Sequence, residues 1–490
     1  MRMSFSLPSR LLCAASILAL LLATLPACAT NPATGRREFN LMSEAQEVAL
    51  GQESDPQIRK EMGVYDDAAL VAYVRGIGEK MARISERPTL QWRFTIVDQP
   101  AINAFAVPGG FIYFTRGILP FLNSEAELAG VMGHEIGHVT ARHSAQQYSR
   151  SLGAQFGLAT LGVFVPSARP FEGLSAQALG VVFLKYGRDD ERQADQLGVR
   201  YAGAAGWDPA GVPGMLNTLG RLAEAQGDRR GVPNWLSTHP EPLERVAEVQ
   251  PAVAALKASG STFSTNRDEY LRRIDGVIYG DNPEQGIVRG TSFMHPRLRF
   301  RLEFPDGWNI QNGTTQVTAK APGAEATMLL EVVQEPNGRT LDEVAVNQMR
   351  AAGFRAISGE RTVISGVDAY LGVYQGTLQD LGAVRIRTVH LAHGTSYYLL
   401  AGIAKADAFP QVDAAFVRAI RSFRPLSVAE AAGIGPNRVD LYVVRAGDTW
   451  AGIVERTGRV IPAATLAIMN NAAPTSTPEV GTRIKIVVGG

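Results

Sequence analysis

The chain has 490 residues, a net charge of +1 and 46% hydrophobic residues. It is long enough for several domains, its composition is that of ordinary folded protein, and its charge balance gives no electrostatic footprint for nucleic acid. Only two cysteines occur, Cys13 and Cys28, which excludes a disulfide framework.

The N-terminus stands apart from the rest. Arg2 and Arg10 precede an apolar run over 11–25, too short for a membrane span, so residues 1–27 read as a secretory leader. Leu25-Pro26-Ala27-Cys28 has the form of a lipobox, in which Cys28 becomes the lipid-bearing first residue. Pro26 is unusual in that motif, and Ala27-Cys28-Ala29 is also an ordinary signal-peptidase site. Acylation is the better explanation of a lone cysteine at such a junction. By resemblance to enteric lipoproteins, Ala29 in place of a retention aspartate implies the outer membrane. Residues 28–42 read as a polar tether.

From 43 to 87 the sequence reads as helical, with Val48, Leu50, Ile58, Leu70, Val74, Ile77 and Met81 on the apolar faces. Residues 92–97 alternate like a strand. Asn103-Ala104-Phe105-Ala106, then Pro108-Gly109-Gly110, then Phe111-Ile112-Tyr113-Phe114 read as strand, glycine turn, strand. A strand beside a metal helix can offer its free edge to an extended peptide; a plain structural hairpin is the alternative on these residues.

Next comes His134-Glu135-Ile136-Gly137-His138, an H-E-x-x-H pattern. Ser124 with Glu127 forms a capping box ahead of it, and Leu128, Val131, Met132, Ile136 and Val139 recur at helical spacing. Two histidines one helical turn apart can share a zinc ion, whose catalytic sites keep one position for water, and Glu135 stands where it can take that water's proton. Gly130, Gly133 and Gly137 fall on the far side, where a neighbouring backbone could approach. His143 does not complete the longer metzincin pattern, since Ala141 and Ser144 hold its glycine and histidine positions, so it reads as a surface residue or one behind the ligands.

Residues 152–184 are apolar and glycine-rich but interrupted by Gln155, Arg169, Glu172 and Gln177, short of a membrane helix. They read as a flap beside the cleft or as buried core. Asp190 with Gln193 then suggests a helix start, and Glu191 and Asp195 share a face four residues apart. One carboxylate can join the metal while the other orients a ligand histidine; a solvated acidic face is the alternative. Asp208-Pro209 starts a further helix. His239 lies between Thr238 and Pro240 on a stiff loop ahead of Arg245, and spacing alone makes it an exposed loop histidine.

Together these segments, over about residues 35–253, resemble the HtpX/Ste24/Oma1-type zinc metallopeptidases, in their exported Gram-negative peptidase-chaperone branch. The likeness rests on 103–106 with Pro108-Gly109-Gly110, His134 to His138, Glu191 to Asp195, and Thr238-His239-Pro240 with Arg245. It implies a gluzincin site with one zinc on His134, His138 and Glu191, Glu135 as base, and Asp195 behind the ligands. It also implies that Asn103, Ala104, Phe105 and Ala106 bind substrate, and that His239 can take the water position as a regulatory ligand. Arg245 is expected either to steady the oxyanion or to pair with a carboxylate.

The remainder differs. Residues 290–425 are β-rich with two helical stretches and are expected to form an α+β domain, loosely similar to the PsbP/Mog-like fold, in which His390 and His393 are ordinary residues. Residues 427–439 read as a linker. Residues 440–488, with Asp448-Thr449-Trp450, Asn470-Asn471 and Gly481, resemble a LysM module of strand–helix–helix–strand order, which implies peptidoglycan binding or a purely structural copy. The fold expected is thus multidomain: a mainly α metallopeptidase domain over 43–260 with a small edge-strand sheet, an α+β domain and a βααβ module. The function expected is a zinc endopeptidase of the cell envelope acting on unfolded or misassembled proteins. The alternative is a peptidoglycan-bound chaperone or scaffold lipoprotein whose zinc site is structural or closed.

Overall fold

The computed structural model describes residues 28–150, 186–226, 235, 238–323, 325–333, 340–379 and 381–490. They form two compact units, one of Met1–Arg59, Val64–Asp275 and Asp440–Ile486, the other of Lys60–Gly63, Gly276–Val439 and Val487–Gly490. No described helix is long and apolar enough to cross a membrane. The expected flap over 152–184 lies outside the described residues.

The first unit opens on an antiparallel ribbon, β1 (Cys28–Thr30) with β2 (Arg37–Phe39), where a polar tether was expected. Asn31 and Gly35 supply the turn chemistry the tether reading overlooked: Asn31 N donates to Arg36 O at 2.8 Å, and Gly35 has φ of 70°. Leu41 N donates to Ser149 Oγ at 2.9 Å, which ties the segment down.

Two helices follow, α1 (Glu44–Met62) and α2 (Ala68–Ala82), separated at Gly63, whose φ is 70°. Asp67 caps α2 by accepting from Leu70 N at 2.9 Å, and Leu70, Val74, Ile77 and Met81 are buried. The sheet comprises β3 (Arg93–Val97), β4 (Ala104–Val107) and β5 (Phe111–Thr115) in the order β3-β5-β4, with β3 parallel and β4 antiparallel to β5. Gly109 and Gly110, at φ of 87° and 95°, make the turn, and β4 is an edge strand that packs on the next helix.

That helix is α3 (Glu125–Thr140), buried along its whole length. Ser124 caps it, its Oγ accepting from Glu127 N at 3.1 Å, while the Glu127 carboxylate reaches Asn123 N at 2.8 Å, one residue before the position a capping box predicts. Its three glycines face backbone, as their spacing predicts. A Cβ on Gly130 would sit 3.0 Å from Val212 N, one on Gly133 would sit 2.9 Å from Gly198 Cα, and one on Gly137 would sit 3.1 Å from Ala194 Cα.

The partners of these contacts are α4 (Arg188–Ala204) and α5 (Gly211–Gln226). The N-cap of α4 is Gly187, not Asp190. Asp190 instead lies in the first turn beside Asp189 and Glu191, where carboxylates suit the helix dipole, and accepts from Gly187 N at 3.1 Å. Asp208 likewise precedes α5 in a turn, its Oδ1 accepting from Ala210 N at 2.9 Å. Helices α6 (Pro242–Ala258) and α7 (Arg267–Ile274) complete this part.

The second unit holds a seven-stranded antiparallel sheet. Its spatial order is Asn309–Asn312, Gln316–Lys320, Ala326–Val333, Ser396–Lys405, Gly382–His393, Val367–Leu378 and Arg355–Ile364. Helix Phe409–Arg421 and a smaller sheet cover one core, with Phe300, Leu302, Leu391, Phe416 and Phe423 buried; helix Leu341–Ala351 covers another. His390 Nε2 meets Gln348 Oε1 at 2.9 Å and His393 Nε2 meets Leu298 O at 2.9 Å. The segment read as a linker is ordered: Ser427 and Glu430 form a capping box on helix Val428–Ala432, a signal passed over beside the glycines and proline that follow.

Residues 440–486 return to the first unit. They carry most of β6 (Asn437–Val443), then α8 (Trp450–Arg456), α9 (Ala463–Met469) and the start of β7 (Arg483–Val488). Thr449 caps α8 by accepting from Gly452 N at 3.0 Å, and Gly481, at φ of 83°, turns the chain before β7.

The Gly133 contact gives the first test. Gly133→Ala forces a methyl against Gly198 and the Met81 methyl, so its better helix propensity is outweighed and stability falls by about 1–3 kcal/mol. Denaturant titration measures this, and an unchanged midpoint would show that the two helices have slack.

Candidate metal centre

Backbone spacing alone puts His134 and His138 on one side of α3. The α3–α4 contact through Gly133 and Gly198 then lets α4 deliver Glu191, and the loop before α6 delivers His239. One ligand atom from each of His134, His138, Glu191 and His239 lies within 4.8 Å of the others, and all four residues are buried.

The edges of this group can be compared with a metal shell. His138 Nε2 and His134 Nε2 are 3.0 Å apart, and His134 Nε2 and His239 Nδ1 are 3.2 Å apart. His138 Nε2 lies 3.4 Å from Glu191 Oε1, and His239 Nδ1 lies 2.9 Å from the same oxygen. A tetrahedron of N and O ligands about 2.05 Å from its centre has edges of about 3.3 Å. The chemistry of the set, three imidazoles and a carboxylate, and its dimensions both fit zinc.

The supporting contacts fix orientation. Asp195 Oδ1 accepts from His134 Nδ1 at 2.9 Å, which leaves Nε2 unprotonated and aimed at the metal position. Arg245 holds Asp195 with a two-pronged grip, Nε and Nη2 each at 2.7 Å, and its Nη1 lies 2.5 Å from Glu191 Oε2. The guanidinium is therefore committed to these carboxylates. His143 Nδ1 lies 2.9 Å from His138 Nδ1, and its Nε2 lies 2.8 Å from Gln193 Oε1, so it is buried behind His138 and not on the surface.

Electrostatics follow from burial and partners. Burial alone would raise Glu191, but His239, Arg245 and the histidine hydrogen bonds outweigh it and hold the carboxyl well below its usual range. Burial also opposes Asp195, and Arg245 again wins, keeping it low. Glu135 goes the other way: burial raises its pKa, and neither carboxylate oxygen has a hydrogen-bond partner among the described residues. Its Oε1 lies 3.6 Å from His239 Nε2. A buried carboxylate with raised basicity, next to the ligand set and otherwise unengaged, is suited to moving a proton.

Asn103, Ala104, Phe105 and Ala106 lie at β4, which packs on α3. Thr115 satisfies the Asn103 backbone, Thr115 Oγ1 accepting from Asn103 N at 2.9 Å and donating to Asn103 O at 2.6 Å. Asn103 Oδ1, although buried, has no partner among the described residues. Cys28 opens β1.

Two aromatic residues of the centre escaped the sequence reading. Tyr186 stacks on His138 with centroids 3.8 Å apart, and Trp235 stacks on His239 at 4.8 Å with the Arg245 guanidinium 5.4 Å from its ring. Trp235 N donates to Ile102 O at 3.2 Å, beside the head of β4. Trp235 stands four residues before His239, a helical spacing that could have flagged it; nothing in the sequence marks Tyr186.

Comparison with known proteins bears on this arrangement. Residues 68–253, which carry every member of the four-residue group, match the model for peptidase family M48. This segment is similar to the M48 metallopeptidases. The chain is 28% identical over 229 residues to the beta-barrel assembly-enhancing protease of Escherichia coli (strain K12), covering 45% of this chain and 46% of that one. It is 31% identical over 204 residues to the mitochondrial metalloendopeptidase OMA1 of Arabidopsis thaliana, covering 41% and 40%. The chain thus spans less than half the length of these two relatives. Among solved structures, cyanobacterial PsbP from Synechocystis is similar over 29% of this chain and 95% of that one, at 12% identity and a TM-score of 0.25, too low to carry an argument.

The Asp195–His134 bond is testable. Asp195→Asn keeps the shape but weakens the hold on the His134 tautomer, so the zinc affinity of this segment falls about 10–100-fold. Chelator competition reads this directly; unaltered affinity would mean that Asp195 serves only Arg245.

Proposed function

We propose that this protein is a zinc-dependent endopeptidase of the cell envelope, of gluzincin type, with His134, His138 and Glu191 as its metal ligands. The observation that carries the reading is the convergence of those side chains from two helices with an unengaged, buried Glu135 beside them. Zinc bound there supplies Lewis acidity, which polarises a scissile carbonyl and acidifies a water. Glu135 accepts the proton of that water and hands it to the leaving amine. Asp195 and Arg245 keep His134 and Glu191 in place during the reaction.

Substrate is proposed to pair as an extended chain with the edge strand β4, which selects for unfolded or misassembled proteins because edge pairing reads backbone more than side chains. The relative named beta-barrel assembly-enhancing protease supports envelope proteins as the class and the envelope as the location. The lipobox-like 25–28 supports a lipid anchor at Cys28 and attachment to the outer membrane. The sequence of 440–488 supports a LysM-like glycan-binding role.

His239 favours a regulated site. Its Nδ1 stands at the fourth corner of the ligand group, where the attacking water would otherwise bind, so the chain is proposed to be self-inhibited in this state. The same contact supports the second reading, a peptidoglycan-bound chaperone or scaffold with a closed site.

Casein cleavage separates the two. On the peptidase reading, Glu135→Gln retains zinc and loses activity by about a thousandfold or more, while His239→Ala gains activity. Inert wild type and inert His239→Ala, with Glu135→Gln still functional in cells, would establish the scaffold. Mass spectrometry of the mature N-terminus tests the anchor: a diacylglyceryl-Cys28 is expected, and a chain starting at Thr30 refutes it.

A further inference from the structure

The C-terminal segment belongs to the compact unit of the metal centre. Helix α9 packs on α5 and on the 3-10 turn Arg116–Phe121 that precedes α3. Arg221 of α5 donates to Ala472 O, and Arg267 Nη2 donates to Arg483 O at 2.6 Å. Between these contacts Lys485 of β7 is fully buried, and its Nζ donates to Leu122 O at 2.6 Å. Asn470 clasps the Lys485 backbone on both sides: its Nδ2 donates to Lys485 O at 2.8 Å and its Oδ1 accepts from Lys485 N at 2.8 Å.

This lysine arrives at an electrostatically unfavourable place. Leu122 lies just before Ser124, the N-cap of α3, and a helix N-terminus repels cations. A dry interior adds a large desolvation cost. Glu127 in the first turn of α3, itself buried, supports the Lys485 charge, but burial outweighs it, pulling the lysine down to about 7 and raising the Glu127 carboxyl. An ammonium used only to fill space would be replaced at less cost by a leucine, so the pair points to a specific junction.

We propose that residues 440–486 are a built-in brace of the peptidase, not a separate arm. Lys485, brought from the far end of the chain, fixes the start of the helix that carries His134, Glu135 and His138. Any partner the segment engages on its remaining surface is thereby held rigidly to the metal centre. The inference rests on the M48 fold and is independent of glycan binding.

A double-mutant cycle in the full-length zinc-loaded chain tests it, using Lys485→Met, Glu127→Gln and the two combined. Each single change leaves one buried ionisable group without its counterpart. Amide exchange over 125–133 and over 463–486 should therefore accelerate together, by roughly tenfold or more, while 341–420 is unchanged. The double variant should recover most of the protection. Casein turnover, or turnover of the His239→Ala background if wild type is inert, should fall in Lys485→Met with KM and zinc content unchanged, and return in the double variant. Unaltered exchange in Lys485→Met, or a double variant no better protected than the worse single one, overturns the brace. If exchange behaves as expected but every background is inert, the brace stands and the peptidase reading fails.

Discussion

The closeness of α3 and α4 is the constraint on which the centre depends. Gly133 and Gly198 meet backbone to backbone, and Gly137 does the same with Ala194 one turn on. Side chains at those positions would hold the helices apart. Glu191 would then stop short of the paired histidines, and Asp195 would stop short of His134. The glycines thus do at the level of packing what the ligands do at the level of chemistry, and both lie on the same two helices. Arg245 extends the logic to a third helix by gripping the two carboxylates of α4 at once.

Much of this was legible in the sequence because it is local. The H-E-x-x-H spacing, the Ser124 cap and the glycine face of α3 are statements about one helix, and helical geometry converts them into positions without further information. The strand–turn–strand over 103–114 was likewise readable from Gly109 and Gly110. Errors arose where a turn residue was weighed by its neighbours rather than by its own chemistry. Asn31 and Gly35 close a ribbon inside what looked like a tether, and Ser427 with Glu430 starts a helix inside what looked like a linker.

Contacts between distant segments were not legible at all. Tyr186 against His138, Trp235 against His239 and Lys485 against Leu122 depend on how separate elements meet, which no single-segment pattern encodes. Lys485 is the plainest case. In the sequence it sits between two isoleucines with nothing to mark its surroundings; in the fold it is among the most deeply buried residues. The contacts of Arg245 with Asp195 and Glu191 are of the same kind, since the three residues come from two separate helices.

Glu135, Glu191, Asp195 and Arg245 together have a consequence for how the chain acquires its shape. All four are buried side by side, three acids against one guanidinium. A doubly charged ion would offset the acids that the guanidinium does not. Loading and stability of the α3–α4 pair are for this reason linked: an ion that binds only the native arrangement raises the free energy of unfolding in proportion to the logarithm of its concentration. A compartment poor in zinc would thus cost this chain part of its stability together with its metal.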